Sequence, residues 1–161
     1  MKRFFEKVSF NEFKKHISDD YNLYNSYSIP KRGTAHSAGY DIKAIQDVTI
    51  NPGEIVKIPT GLKVSMLTDE VMFIIIRSSM GYKNLLSIPN QVGVIDSDYY
   101  NNNDNEGHIF IPIQNNGPTA YTIKKSESYV QGIFTKFLTV DNEEEVTNSR
   151  VGGFGSTSKG E

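Results

Sequence analysis

Beyond residue 34 the hydrophobic positions fall into short runs rather than long helical stretches. These β-rich runs occupy residues 41–45, 48–50, 55–58, 62–65, 71–77, 85–88, 93–95, 108–113, 120–123 and 129–137. Gly, Pro, Asn and Asp divide them, with Asn51-Pro52-Gly53-Glu54 and Asn115-Asn116-Gly117-Pro118 as the strongest turn signals. Many short strands with frequent turns predict an all-β sandwich or barrel. The first thirty residues have another texture. Residues 4–10 form a short amphipathic stretch, and 11–18 (NEFKKHIS) are predicted to make two turns of helix with Asn11 as N-cap. Residues 19–28 are polar and tyrosine-rich and read as a loop that Pro30 ends. Two segments are predicted to be mobile. Residues 100–107 (YNNNDNEG) have little apolar surface to bury, and the tail from Asp141 is acidic and then glycine-rich. The chain therefore divides into a β domain, 1–140, and a flexible arm, 141–161.

The length, 161 residues, suits one domain that needs no disulfide or metal staple. With no cysteine, disulfides, thiolate zinc sites and a Cys nucleophile are excluded, which fits a reducing cytoplasm. A formal net charge of −2 argues against nucleic acid as a partner, since such binding depends on neutralising many phosphates. The longest apolar run, 71–76, is far too short to span a bilayer, so no membrane partner is expected.

Four segments carry candidate chemistry. Arg77-Ser78-Ser79-Met80-Gly81 follows the most apolar run and could cradle phosphate with its guanidinium, hydroxyls and backbone amides, or simply end a strand with an exposed Arg. In Gly93-Val94-Ile95-Asp96-Ser97-Asp98-Tyr99, alternation places Asp96 and Asp98 on one side, as a cation site, a general base or a polar strand end. Ser37-Ala38-Gly39-Tyr40-Asp41 sets an acid beside a glycine turn. Arg150-Val151-Gly152-Gly153-Phe154-Gly155-Ser156-Thr157 combines a cation, hydroxyls, open backbone and a flat ring, the groups suited to a phosphate attached to a planar base. A Walker A loop is excluded because Lys159 follows Ser158, precedes Gly160, and opens no helix. His16, His36 and His108 show no metal spacing and read as surface or structural residues.

In this order the segments resemble the five motifs of the trimeric dUTPases, the deoxyuridine triphosphate nucleotidohydrolases. The first is Ser37 to Ile42, the second Arg77-Ser78-Ser79, the third Asn90 to Tyr99, the fourth Glu127 to Phe134 and the fifth Arg150 to Thr157. The resemblance implies a jelly-roll-like subunit, a homotrimer whose sites are shared between subunits, and a C-terminal arm that closes over nucleotide. It implies hydrolysis of dUTP to dUMP and pyrophosphate with Mg²⁺. Asp96 is then the base acting on the attacking water. Asn90, Gly93, Tyr99 and Phe154 contact uracil and deoxyribose, with Tyr99 packed under the sugar and Phe154 stacked on the base. Arg77, Ser78, Ser79, Gln131, Arg150, Gly155, Ser156 and Thr157 contact phosphates, and Asp41 holds Mg²⁺ through water.

Four features depart from the family pattern. Ser128 replaces a usual Arg or Lys, and Arg150 lies one residue nearer Phe154 than is common. The 11–18 and 100–107 segments are extra, and could be surfaces for another, regulatory protein partner. A dCTP deaminase of the same fold and a nucleotide-responsive regulatory protein are the alternative readings.

Overall fold

The computed structural model describes residues 2–145. Each of the ten predicted runs overlaps a strand. In chain order these are β3 (Tyr40–Lys43), β4 (Val48–Ile50), β5 (Ile55–Pro59), β6 (Leu62–Ser65), β7 (Glu70–Ile76), β8 (Leu86–Ser87), β9 (Gly93–Asp96), β10 (Phe110–Asn115), β11 (Tyr121–Ile123) and β12 (Ser128–Lys136). Two further strands precede them, β1 (Phe4–Lys7) and β2 (Lys31–Arg32). The strands form a five-stranded sheet, β2-β3-β12-β7-β9, a three-stranded sheet, β5-β10-β8, and the ribbons β1-β6 and β11-β4. Every pairing is antiparallel. The result is a jelly-roll-like sandwich, as predicted.

The core follows the period-2 rule for half-buried strands. Along β10, Ile111, Ile113 and Asn115 point inward while Phe110, Pro112 and Gln114 lie between core and solvent. Ile42, Ile50, Leu62, Met72, Ile74, Ile123, Tyr129 and Val130 are among the residues that share this interior. The second core, Val8, Phe13 and Ile45, lies under the N-terminal helices.

The N-terminal third differs from expectation in three ways. The amphipathic stretch contains β1, which pairs with β6, and Phe5 packs against Tyr40 and Phe134. Helix α1 (Phe10–His16) starts earlier than predicted, because Ser9 rather than Asn11 is its cap. The Ser9 hydroxyl accepts from the Glu12 amide at 3.2 Å, satisfying one of the free donors of the first turn. The expected loop contains a second helix, α2 (Tyr21–Ser26), capped by Asp20, whose Oδ1 accepts from the amides of Asn22 and Leu23. Its stabilisation is aromatic: Tyr21 and Tyr24 meet Phe10 edge-on, and Tyr27 stacks on Phe13.

Residues 100–107, expected to be mobile for want of apolar surface, are held by polar side chains instead. Asn102 Oδ1 accepts from the amides of Asp104 and Asn105, and Asn105 Oδ1 accepts from the Gly107 amide. Glu106 then receives both the amide and the hydroxyl of Ser9, the cap of α1. Gly107 sits at φ +81°, and a Cβ there would lie 2.5 Å from the Tyr99 carbonyl oxygen. The two extra segments thus fold against each other.

His108 links them to the sandwich. Its Nε2 accepts from the Gly61 amide at 2.9 Å, which places the ring proton on Nδ1, facing Glu12 Oε1 at 3.2 Å. Burial lowers the His108 pKa to about 4. The depressed value means that the unfolded chain binds the extra proton first, so stability is complete above about pH 6.5 and is lost as pH falls toward 4. Thermal and denaturant unfolding should therefore show a loss of about 2 kcal/mol between pH 7 and pH 5. His108→Gln should remove that slope, whatever its own effect on stability.

Candidate active site

Three adjacent strands bring one set of predicted residues together. On β3, Asp41 stands opposite Gln131 of β12, and Gln131 stands opposite Ile75 of β7. Arg77 follows the end of β7, its amide bonded to the Tyr129 carbonyl at 3.1 Å. The Arg77 Nε lies 3.3 Å from Asp41 Oδ1, and Nη1 donates to the Ser128 carbonyl at 3.2 Å. Ser128 therefore contributes through its backbone, which its replacement of a longer cationic side chain does not alter. Ser78 and Ser79 are exposed where the chain enters a π-helical turn, Ser79–Lys83.

These groups surround an open cavity of about 400 Å³ lined by Gly33, Ser37, Gly39, Asp41, Arg77, Ser78, Ser79 and Gln131. Gly33 and Ser37 were not singled out as site residues from sequence, nor was Arg32, which ties this loop by donating to the carbonyls of Ala35 and Ser37. The adjoining Lys31-Arg32-Gly33 strand-to-turn passage was the available signal. Gly39 is required by close approach: a Cβ there would run into the Gln131 carboxamide. The guanidinium, carboxamide and hydroxyls of the lining are donors that fit phosphate oxygens. The oxygen donors, Asp41 with its carboxylate only partly engaged by Arg77, suit a hard cation that keeps most of its waters.

The third segment lies elsewhere on the same sheet. Asn90 and Val92 are exposed on a tight turn in which Gln91 adopts φ 65° and its amide donates to the Ile88 carbonyl. Gly93 pairs with Ile74, where a Cβ would lie 3.2 Å from the Ile74 Cβ. Asp96 is exposed and pairs with Val71, near the start of β7. Tyr99 is 6 % exposed and lies in a 3₁₀ turn, Ser97–Tyr99. Its phenol donates to the His108 carbonyl and accepts from Asn105 Nδ2, both at 2.9 Å.

The register separates these two groups. From the Asp41–Gln131–Ile75 row to the Val71–Asp96 row is four residues along β7, and from β3 to β9 is three strand spacings. With about 3.3 Å per residue and 4.8 Å per strand, Asp96 stands roughly 20 Å from Asp41. One chain does not bring them together. Arg150, Phe154, Gly155, Ser156 and Thr157 lie outside the described residues.

Among the described residues, Glu12, His16 and His108 bring ligand-type atoms within 4.8 Å of one another. The amide that occupies His108 Nε2 keeps the proton on Nδ1, so that nitrogen donates to Glu12 rather than offering a lone pair. The cluster is a hydrogen-bond network, in line with the structural role predicted for the histidines.

A jelly-roll-like sandwich with a guanidinium- and hydroxyl-lined cradle on its five-stranded sheet is suited to handling phosphate groups. The dUTPase family model matches residues 25–158. The chain is 52 % identical over 131 residues to the deoxyuridine 5'-triphosphate nucleotidohydrolase of Lactococcus lactis subsp. lactis (strain IL1403), covering 81 % of this chain and 87 % of that one. The crystal structure of dUTPase from Streptococcus mutans superimposes with a TM-score of 0.71 at 42 % identity, over 86 % of this chain and 98 % of that one. A mutant dUTPase from phage phi11 of S. aureus, described as coordinating a structural Mg(II) ion, shares the fold with a TM-score of 0.66 at 20 % identity, over 92 % and 98 % of the two chains. The chain belongs to the dUTPase family, and its activity is that of a dUTP diphosphatase.

The Gly39 contact gives a direct test of the cradle. Gly39→Ala should displace the Gln131 carboxamide and lower kcat/KM for dUTP roughly tenfold. The circular-dichroism melting curve should keep its cooperative shape, because the clash is with a side chain at the cavity rather than with the core.

Proposed function

We propose that the chain hydrolyses dUTP to dUMP and pyrophosphate by in-line attack of water at the α-phosphorus, in sites completed by other copies of the same chain. The observation that carries this reading is the separation of Asp96 from the cradle, roughly 20 Å on a rigid sheet. A second copy, in a closed symmetric assembly, removes that separation by presenting its own Asp96 to the first copy's cradle. The sheet face between the two groups supports association, since Phe73, Ile75 and Ile133 lie there partly exposed and Val94 is 53 % exposed. Leu138, beyond β12, is 96 % exposed. The assembly proposed is a homotrimer.

Each residue has a role in this reading. Asp96 orients the attacking water and accepts its proton, the work of a carboxylate acting through one hydrogen-bonded water. Arg77, Ser78, Ser79 and Gln131 hold the phosphate oxygens and keep the chain of phosphates aligned for attack. Asp41 holds Mg²⁺ through water, and the ion, when bound, neutralises charge on the phosphate oxygens. Asn90 and the backbone at Gly93 read uracil, and Tyr99 underlies deoxyribose. Phe154 covers the base, while Arg150, Gly155, Ser156 and Thr157 contact the outer phosphates. The product serves thymidylate synthesis, and removal of dUTP limits uracil in DNA; the setting is the cytoplasm.

Asp96→Asn should bind dUTP and release pyrophosphate more slowly by roughly 10²–10⁴-fold. Wild-type turnover in that variant removes Asp96 as the base. A panel of dUTP, dTTP, UTP and dCTP, with ammonia followed for dCTP, separates hydrolysis from deamination.

A mixing experiment addresses the shared site. Arg77→Ala and Asp96→Asn chains should each be inactive. Refolded together in equal amounts, they should regain about a quarter of the wild-type sites by random assortment, because some cradles then meet an intact Asp96 from a neighbour. Mixtures as inactive as either parent would place both groups of a site on one chain.

A further inference from the structure

The helix α1 lies outside the region matched by the family model, which begins at residue 25. Its one buried polar side chain nevertheless reaches into that region. The Glu12 carboxylate is 3 % exposed and faces His108, whose side chain is fully buried. A carboxylate is seldom buried on a surface helix unless something there requires it, since desolvation is costly. Here Oε1 meets His108 Nδ1 at 3.2 Å and His16 Nε2 at 3.3 Å, and Oε2 meets Lys15 Nζ at 3.3 Å. With Gly61 on its other nitrogen, the His108 ring is fixed at both ends.

What His108 holds in turn is Tyr99. The phenol of Tyr99 donates to the His108 backbone carbonyl, and Asn105 closes the same contact from the loop. That loop is itself fastened to α1 through Glu106 and the Ser9 cap. The path from the helix to the tyrosine therefore runs through two independent anchors, Glu12–His108 and Ser9–Glu106, and both end on the short segment that carries the phenol's partners. A ring held at its hydroxyl by two groups has its position and long axis set by them, and a sugar resting on the ring is placed with it.

We propose that Glu12 is a positioning residue for dUTP hydrolysis, acting through His108 to hold Tyr99 as the floor on which deoxyribose rests. This rests on the reading of Tyr99 as the residue under the sugar. Glu12 touches neither substrate nor reacting atoms; its effect is on where the sugar lies. The helical addition thereby acts as a brace that sharpens selection of deoxyribose over ribose.

The test compares Glu12→Ala, Glu12→Asp and Glu12→Gln with the parent, using dUTP and UTP as substrates. Loss of the contact should raise KM for dUTP roughly tenfold, reduce kcat less, and narrow the preference for dUTP over UTP. Glu12→Asp is the variant for the case in which Glu12→Ala fails to fold: it retains the charge but is one methylene too short to reach His108. Glu12→Gln should restore both KM and the dUTP-to-UTP preference, because its carboxamide oxygen accepts the same Nδ1–H. A merely structural Glu12 would move the melting temperature and leave the substrate preference alone, and that result overturns the proposal. Tyr99→Leu is measured alongside. If it alters KM and sugar preference while the folded Glu12 variants do not, the brace is refuted and the role of Tyr99 stands. If Tyr99→Leu alters neither, the reading of Tyr99 fails and the brace fails with it.

Discussion

The constraint on which the molecule depends is the shared register of β3, β12, β7 and β9. Antiparallel hydrogen bonding fixes which residues stand side by side, and a slip of one residue would turn every side chain to the other face. In the observed register Asp41 and Gln131 lie in one row, and Arg77 is delivered just beyond it at the end of β7. The same register holds Asp96 at a fixed remove, in a distant row of the same sheet. The sheet thus gathers Asp41, Gln131 and Arg77 at one place and sets Asp96 roughly 20 Å away.

Much of this was legible in the sequence because the strands are short, alternating and cleanly divided by turn residues. The ten runs beyond residue 34 coincide with β3 to β12, and the candidate groups Asp41, Arg77, Ser78, Ser79 and Gln131 do line one cavity. What escaped was hidden for identifiable reasons. Helix α2 was obscured because tyrosines, polar by composition, supply its apolar face through ring packing. The start of α1 was misplaced because Ser9 and Asn11 are both good caps; in the structure Ser9 accepts from the Glu12 amide and is held in place by Glu106. The order of 100–107 comes from side chains bonding to nearby amides, which composition cannot distinguish from a solvated loop. The separation of Asp96 from Asp41 depends on strand order, which no local pattern encodes.

The two additions to the family pattern are better regarded as one unit. Alone, α1 and α2 are too short to persist, since isolated helices of six or seven residues are marginal in water. They persist because Phe13 and Val8 are buried against Ile45 of the sandwich and because Ser9 and Glu12 find partners in the second segment and beside it. The polar segment depends on the helices in the same way. His108 joins both to the sandwich through Gly61.

These contacts join residues made far apart in time. Arg3 pairs with Glu70, Ser9 with Glu106 and Glu12 with His108, spanning 67, 97 and 96 positions. A ribosome adding about 5–20 residues per second takes roughly 5–20 s to pass from Ser9 to Glu106. Over that interval Phe4, whose ring meets Tyr100, and Phe5, which packs on Phe134, have left synthesis without those partners. The strand translated first therefore waits until late in synthesis for its place, and its aromatic rings stay open to aggregation meanwhile.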